Sequence, residues 1–161
     1  MDVLRDIRKL LDSYSERYAV GETFLASSAQ ARTYINEDKL HAGFDYAYAR
    51  SFWSPRSFGN NIQYWDALHP KDAWPNYFLN NHDTRRTATR YFADRQDAKL
   101  KLLAAMHLTV RGTPYLYYGE EIGMRDITLL PTELQDPVGK RYWPFYAGRD
   151  GCRSPMQWED A

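Results

Sequence analysis

The sequence predicts an α/β fold of parallel strand–helix units, and three observations carry that prediction. Short β-prone runs alternate with helical segments along the 161-residue chain, which argues for βαβ units over a sandwich. Three of the runs stop on carboxylates: Arg17-Tyr18-Ala19-Val20-Gly21-Glu22, Asn76-Tyr77-Phe78-Leu79-Asn80-Asn81-His82-Asp83, and Thr113-Pro114-Tyr115-Leu116-Tyr117-Tyr118-Gly119-Glu120-Glu121. In an α/β barrel the residues just past a strand's carboxyl end face the active site. Finally, the strands number about four, and a whole (β/α)8 barrel takes about 250 residues, so half a barrel is the natural count.

Taken in order, Asp2 to Leu11 reads as an amphipathic helix with Val3, Ile7, Leu10 and Leu11 on one face. The first strand follows at Arg17–Val20, then a polar loop, Thr23–Lys39, with at most a helical turn. Phe44-Asp45-Tyr46-Ala47-Tyr48 is expected to form the second strand, Ile62–Leu68 a short helix, and His69-Pro70-Lys71-Asp72 a turn. The third strand is Tyr77–Asn80. A helix from about Asp94 to Arg111 places Leu100, Leu103, Ala104 and Leu108 on one face, with Asp94 or Asp97 as its cap and Gly112 as its stop. Pro114–Tyr118 is the fourth strand, and everything after Met124 reads as one long loop. The expected organisation is thus a single partial domain, residues 1–161, with 125–161 a loop after the last strand.

Charge narrows the function. The chain carries 21 basic and 21 acidic residues, which gives no electrostatic reason to expect nucleic acid or an anionic membrane as partner. No apolar run approaches the roughly 20 residues of a membrane span. A single cysteine, Cys152, excludes an internal disulfide and fits a reducing compartment, so a cytoplasmic location is expected. No His, Cys or carboxylate spacing resembles a metal site, and His41, His69 and His107 read as structural or solvated. Aromatics make up 16% of the residues. They serve either as platforms for sugar rings or as core packing with hydrogen-bonded tips. Carboxylates converging from several strand ends suit glycoside hydrolysis, in which one acts as acid and another as nucleophile or base.

With these residues in view, a resemblance is plain. Phe78-Leu79-Asn80-Asn81-His82-Asp83, followed by Arg85-Arg86, resembles the His-Asp segment of the α-amylase superfamily, glycoside hydrolase family 13. Val20-Gly21-Glu22 is similar to that family's general-acid segment at the fifth barrel strand, and Gly112–Met124 to its eighth strand. Gln135-Asp136-Pro137 and Gly148-Arg149-Asp150-Gly151-Cys152-Arg153-Ser154-Pro155-Met156-Gln157-Trp158 resemble the tail of α-glucosidases and oligo-1,6-glucosidases. The motifs occur in the family's order along the whole chain. The resemblance implies the C-terminal half, about strands 5 to 8, of a (β/α)8 TIM barrel.

It also implies roles. Glu22 is the general acid/base, Asp83 the carboxylate that grips sugar hydroxyls and stabilises the transition state, and His82 a hydrogen-bonding partner of the same sugar. Arg153 and Arg149 hold the non-reducing-end glucose, a task suited to the fixed donors of a guanidinium. The expected substrate is a short α-linked gluco-oligosaccharide and no cofactor is expected. Without the resemblance, Asp83 reads as a helix cap or ion-pair partner and Glu22 as a solvated surface acid.

One part of the pattern is missing. The family's nucleophile sits in a Gly-aromatic-Arg-x-Asp segment, and here only Arg95-Gln96-Asp97 has that spacing, leading into a helix instead of ending a strand. Because a retaining glucosidase needs a nucleophile roughly 5 Å from its acid, the chain alone is expected to be inert. Open strand edges would favour pairing with a second copy or with an N-terminal half. The alternatives are a transglycosylase of the trehalose-synthase kind and a non-catalytic scaffold subunit. Retention of Glu22, His82 and Asp83 argues against the scaffold.

Overall fold

The computed structural model describes residues 2–69, 73–92 and 96–159. The turn expected over Pro70–Asp72, the Asp94 cap and Arg95 of the Arg-x-Asp spacing lie outside them. The chain divides into two units, Met1–Phe78 with Thr109–Tyr115, and Leu79–Leu108 with Leu116–Ala161.

In the first unit, helix α1 spans Asp2–Asp12. Its charged face ties it down: Arg8 donates to the carbonyls of Asn36 and Lys39 at 3.2 and 3.1 Å, and Arg5 to Asp38. Val3, Ile7 and Leu10 of the expected apolar stripe are exposed. Strand β1, Val20–Gly21, pairs in parallel with β2, Ala42–Gly43. A parallel bridge, Phe44 to Asn76, leads to β3, Asn76–Phe78, which pairs in parallel with β4, Thr113–Tyr115. Parallel order is what the alternation predicts.

The second strand is a correction. Phe44 bridges to Asn76 and Asp45 is extended, but Asp45 then turns the chain into helix α3, Tyr46–Ala49, by accepting a hydrogen bond from Ala47 N at 3.0 Å. A side-chain oxygen that satisfies an orphan N–H of the first turn outweighs the β preference of the flanking aromatics. The Thr23–Lys39 loop contains helix α2, Ser28–Arg32, capped by Ser27. Helix α4, Pro55–Leu68, begins well before the expected Ile62, since Pro55 occupies the first turn, where its missing N–H costs nothing.

Aromatic side chains fill this unit's core. Tyr48, Trp65 and Tyr77 are fully buried, Tyr48 lies 4.8 Å from Tyr77 and 5.4 Å from Phe58, and Phe44 meets Phe78 and Tyr115 edge-on. Truncating a buried aromatic such as Trp65 to alanine costs about 3–5 kcal/mol. Gly112, at φ 146°, enters β4 where a Cβ would lie 2.8 Å from both the Pro75 carbonyl and the Tyr77 ring.

The second unit holds α5, Thr87–Tyr91, and all but the end of α6, Asp97–Thr109. On α6 the buried side chains are Leu103 and His107, while Leu108 of the expected face is exposed. The segment after Met124 is not the featureless loop expected. It contains α7, Pro137–Tyr142, and a 3-10 turn, Asp150–Arg153, because Asp136-Pro137 supplies a cap and a first-turn proline in succession. Leu134 and Cys152 anchor it, both nearly fully buried. Among the described residues no helix is long and apolar enough to cross a membrane.

Candidate active site

Glu22 directly follows β1 in the first unit and is exposed. Its Oε1 accepts a 2.7 Å hydrogen bond from the Tyr46 hydroxyl. Tyr46 is the first residue of α3, and its ring stands edge-on to Phe24 and to Phe78, each at 4.9 Å. The Arg50 guanidinium lies 4.4 Å from the centre of the Phe24 ring. Beneath Tyr46, Asp45 is 1% exposed, and burial pushes its carboxyl up to about 6. Its Oδ1 is met by Ala47 N and, at 3.4 Å, by Ser28 Oγ, while Oδ2 lacks a hydrogen-bond partner. A carboxylate away from water without a cation beside it favours its neutral form.

In the second unit the Asn81–Thr84 turn hydrogen-bonds itself. Asn81 Oδ1 accepts from Asp83 N at 3.0 Å and Thr84 Oγ1 at 3.1 Å, which leaves the His82 and Asp83 side chains outward. The turn is anchored through Asn80, which donates to Thr87 Oγ1 and, at 3.0 Å, to Glu120 Oε1. Glu120 also accepts from Thr87 Oγ1 and from Tyr117 N, and burial pushes its carboxyl above the ordinary range. The third strand-end acid of the sequence pattern is therefore a structural pin and not a member of the exposed cluster.

Two arginines converge on Asp83. Arg149 Nη1 and Arg153 Nη2 donate to its Oδ1 at 2.9 and 2.8 Å, and Arg153 Nε donates to the His82 carbonyl at 2.8 Å. His82 Nε2 lies 3.4 Å from Asp83 Oδ2. Arg149 is fixed from behind by Asp136, whose two oxygens accept from Nε at 2.9 Å and Nη2 at 3.0 Å. This fork, with hydrogen bonds from Arg149 N and Val138 N, holds the Asp136 carboxyl well below the usual carboxylate range. The same bond is the main reason the Arg149 guanidinium is raised. Asp150 Oδ2 staples the segment by accepting from Gln135 N and Asp136 N at 2.6 and 2.8 Å. Gly148, at φ 78°, permits the approach, because a Cβ there would sit 2.9 Å from Asp136 Oδ2.

The structure thus brings His82, Asp83, Arg149 and Arg153 together in one unit and places Glu22 in the other. Within the second unit Asp83 and Asp136 face Arg149 and Arg153, a balanced set able to receive hydroxyl groups through fixed donors and acceptors. Tyr46, Asp136 and Asp150 were not singled out as site residues from the sequence. Only Asp136 carried a local signal, the Asp-Pro pair that opens α7. Of the histidines set aside, His41 Nδ1 accepts from Ala19 N at 3.1 Å, His69 Nδ1 lies 2.8 Å from the Trp65 carbonyl, and His107 is buried. Among the described residues no group of three or more His, Cys, Asp or Glu is placed to hold a metal ion.

Parallel strand–helix units with carboxylates just past the strand ends are the arrangement of α/β-barrel proteins. The whole chain, residues 1–161, matches the family described as "Alpha amylase, catalytic domain", and it belongs to that family of TIM-barrel enzymes. It is 32% identical over 168 residues to a probable α-glucosidase of Rhizobium meliloti (strain 1021), covering 99% of this chain and 30% of the relative. It is 31% identical over 136 residues to an oligo-1,6-glucosidase of Parageobacillus thermoglucosidasius, covering 68% of this chain and 23% of that one. Among solved structures, the α-glucosyl transfer enzyme XgtA superimposes with a TM-score of 0.92 at 33% identity, over 99% of this chain and 30% of its own. The isomaltulose synthase SmuA from Protaminobacter rubrum shares the fold, with a TM-score of 0.82 at 23% identity over 99% of this chain and 35% of its own. The chain spans about a third or less of the length of these relatives.

Proposed function

We propose that this chain is the C-terminal half, strands 5 to 8, of the barrel of a retaining α-glucosidase acting on short α-linked gluco-oligosaccharides. Glu22 protonates the departing glycosidic oxygen and then activates water, and Asp83 stabilises the positive charge of the transition state. His82 hydrogen-bonds a hydroxyl of the same sugar, and Arg149 and Arg153 set the orientation of Asp83 at the non-reducing-end glucose. The observation that carries this reading is the double guanidinium clamp on Asp83 Oδ1. A carboxylate held by two fixed cations is pre-organised for electrostatic stabilisation instead of proton transfer. The glucosidase relatives point to the substrate class. The reading includes a cytoplasmic location, consistent with a single cysteine.

The nucleophile in this reading comes from outside the chain, so the isolated chain releases no 4-nitrophenol from 4-nitrophenyl α-glucoside. Turnover that disappears in Glu22→Gln would overturn that part and leave Glu22's role intact, whereas turnover unchanged in Glu22→Gln would overturn the role itself. The half-barrel reading also expects self-association through the open strand edges, and a monodisperse monomer in light scattering would contradict it. A second reading, glucosyl transfer to a sugar acceptor with the same carboxylates, is favoured by the likeness to XgtA. Comparing free glucose with transfer product separates the two.

A further inference from the structure

We propose that the cavity at the amino ends of the strands in the first unit binds a small aromatic anion, its ring against Tyr18 and Trp74 and its charge on Arg32. The cavity measures about 580 Å³, and its lining includes Tyr18, Arg32, Ile35, Glu37, His41 and Trp74. That volume lies in the roughly 300–1,000 Å³ range of small-molecule pockets, which combine apolar walls with a few placed polar groups. Tyr18 lies two residues before β1, His41 directly before β2 and Trp74 two before β3. Glu22 follows the opposite, carboxyl end of β1, so the cavity is separate from it and its occupancy is independent of the glycosidase reading.

The lining selects the ligand. The polar tips of both large rings are engaged with the sheet. Trp74 Nε1 donates to Thr113 Oγ1 at 3.0 Å, and the Tyr18 hydroxyl accepts from Asn76 Nδ2 at 3.4 Å. Asn76 and Thr113 are register partners in β3 and β4, so the sheet holds the two rings as a pair. Arg111 lies 5.2 Å from the Trp74 ring and His41 meets Tyr18 at 5.3 Å, yet Trp74 is 53% and Tyr18 57% exposed. What they offer the cavity is apolar ring surface, which suits a flat ring.

The charges select an anion. Arg8 is answered by Asp12 at 2.8 Å and Asp38 by Arg5, and burial holds the His41 imidazole toward its neutral form. Among the described residues two charges of the lining have no ionic partner, Glu37 and Arg32. Glu37 is exposed and screened by water, whereas Arg32 is half-buried. Arg32 donates through Nε to the Leu68 carbonyl at 3.0 Å, which fixes the guanidinium. Burial lowers that guanidinium from the ordinary arginine range, so its charge has lost water without gaining an anion. A carboxylate or a phosphate matches the fork of its remaining donors.

The test is an NMR titration of the isotopically labelled chain at neutral pH, read at the Trp74 indole N–H and the Arg32 Nε–H. Benzoate and phenyl phosphate are the aromatic anions, benzamide the neutral ring, acetate the ringless anion and maltose a sugar. At least one aromatic anion shifts both resonances saturably, and the tighter of the two tells whether the site takes a carboxylate or a phosphate. Benzamide binds about ten- to a hundredfold more weakly, the worth of one hydrogen bond between charged groups. Arg32→Gln erases that preference, Glu37→Gln strengthens it, and Trp74→Ala weakens the anion about three- to tenfold. Benzamide and acetate are compared on the parent chain, so the need for charge and for a ring is tested even if a variant does not fold. Aromatic anions that leave the Trp74 indole unmoved, or bind no more tightly than benzamide, acetate or maltose, overturn the site.

Discussion

Asp45 in the first unit and Asp136 in the second are both buried, and each caps a short helix by accepting a backbone N–H, from Ala47 at 3.0 Å and from Val138 at 3.2 Å. Their carboxyls nevertheless move in opposite directions. Burial pushes Asp45 up to about 6, while the Arg149 fork holds Asp136 well below the usual range. The cap is a local property of the chain. The charge state depends on whether a distant guanidinium arrives, and only Asp136 has one.

The sharpest way to break the comparison is to make Asp136 resemble Asp45. Arg149→Gln removes the fork while leaving the backbone donors, so the Asp136 carboxyl rises by roughly 1–3 pH units, the usual effect of losing a close opposite charge. A carboxyl-carbon NMR titration reads it directly. A carboxyl still held far below the ordinary range would assign the depression to Val138 N and Arg149 N instead.

Asp45→Asn removes the charge from the other side while keeping a competent cap. An acid with a raised folded value stays protonated in the folded state while the unfolded chain ionises. Its contribution therefore falls as pH rises from the ordinary value of 3.8 to about 6, and is constant above that. A shift of that size corresponds to roughly 3 kcal/mol, which the parent loses between pH 4 and 7 and Asp45→Asn does not. Urea unfolding at both pH values measures it, and parallel pH dependence in the two proteins would contradict the assignment. Asp136 works in the opposite sense, since its stabilisation is present above the ordinary carboxylate value and is lost as pH falls through and below it.

The smallest effect belongs to Tyr46. Tyr46→Phe keeps the edge contacts to Phe24 and Phe78 and deletes only the hydroxyl on Glu22, so thermal stability changes by less than about 1 kcal/mol. A larger loss would mean that the hydroxyl, and not Asp45, holds α3 in place.

Much of the fold was legible where a local rule decides it. β1, β3 and β4 fall within or beside runs that are β-prone and closed by glycine or acid, and α6 carries capping signals at both ends. The errors have local causes too. Phe44–Tyr48 has the composition of a strand, but Asp45 caps a helix there. Ser54-Pro55 marks the start of α4, yet Pro55–Asn61 lacks the apolar period that would have extended the helix back from Ile62. Asp136-Pro137 spells the start of α7 inside what reads as a loop. At the site, His82, Asp83, Arg149 and Arg153 were legible through their motifs. Tyr46 on Glu22 was not, because that hydrogen bond joins residues 24 positions apart, and although Asp150 lies within the quoted segment, its bond to Asp136, 14 positions away, leaves no pattern of its own.

The central claim, that Glu22 and Asp83 serve one glycosidic reaction, is tested most directly by grafting residues 1–161 into the Rhizobium meliloti relative in place of the stretch they match. Release of 4-nitrophenol from 4-nitrophenyl α-glucoside would be followed in the graft and in its Glu22→Gln and Asp83→Asn variants. The account predicts turnover in the graft and a loss of about 10²–10⁴-fold in Glu22→Gln, the usual range for removing a general acid, with a deep loss in Asp83→Asn as well. A folded graft whose turnover survives either substitution would contradict it.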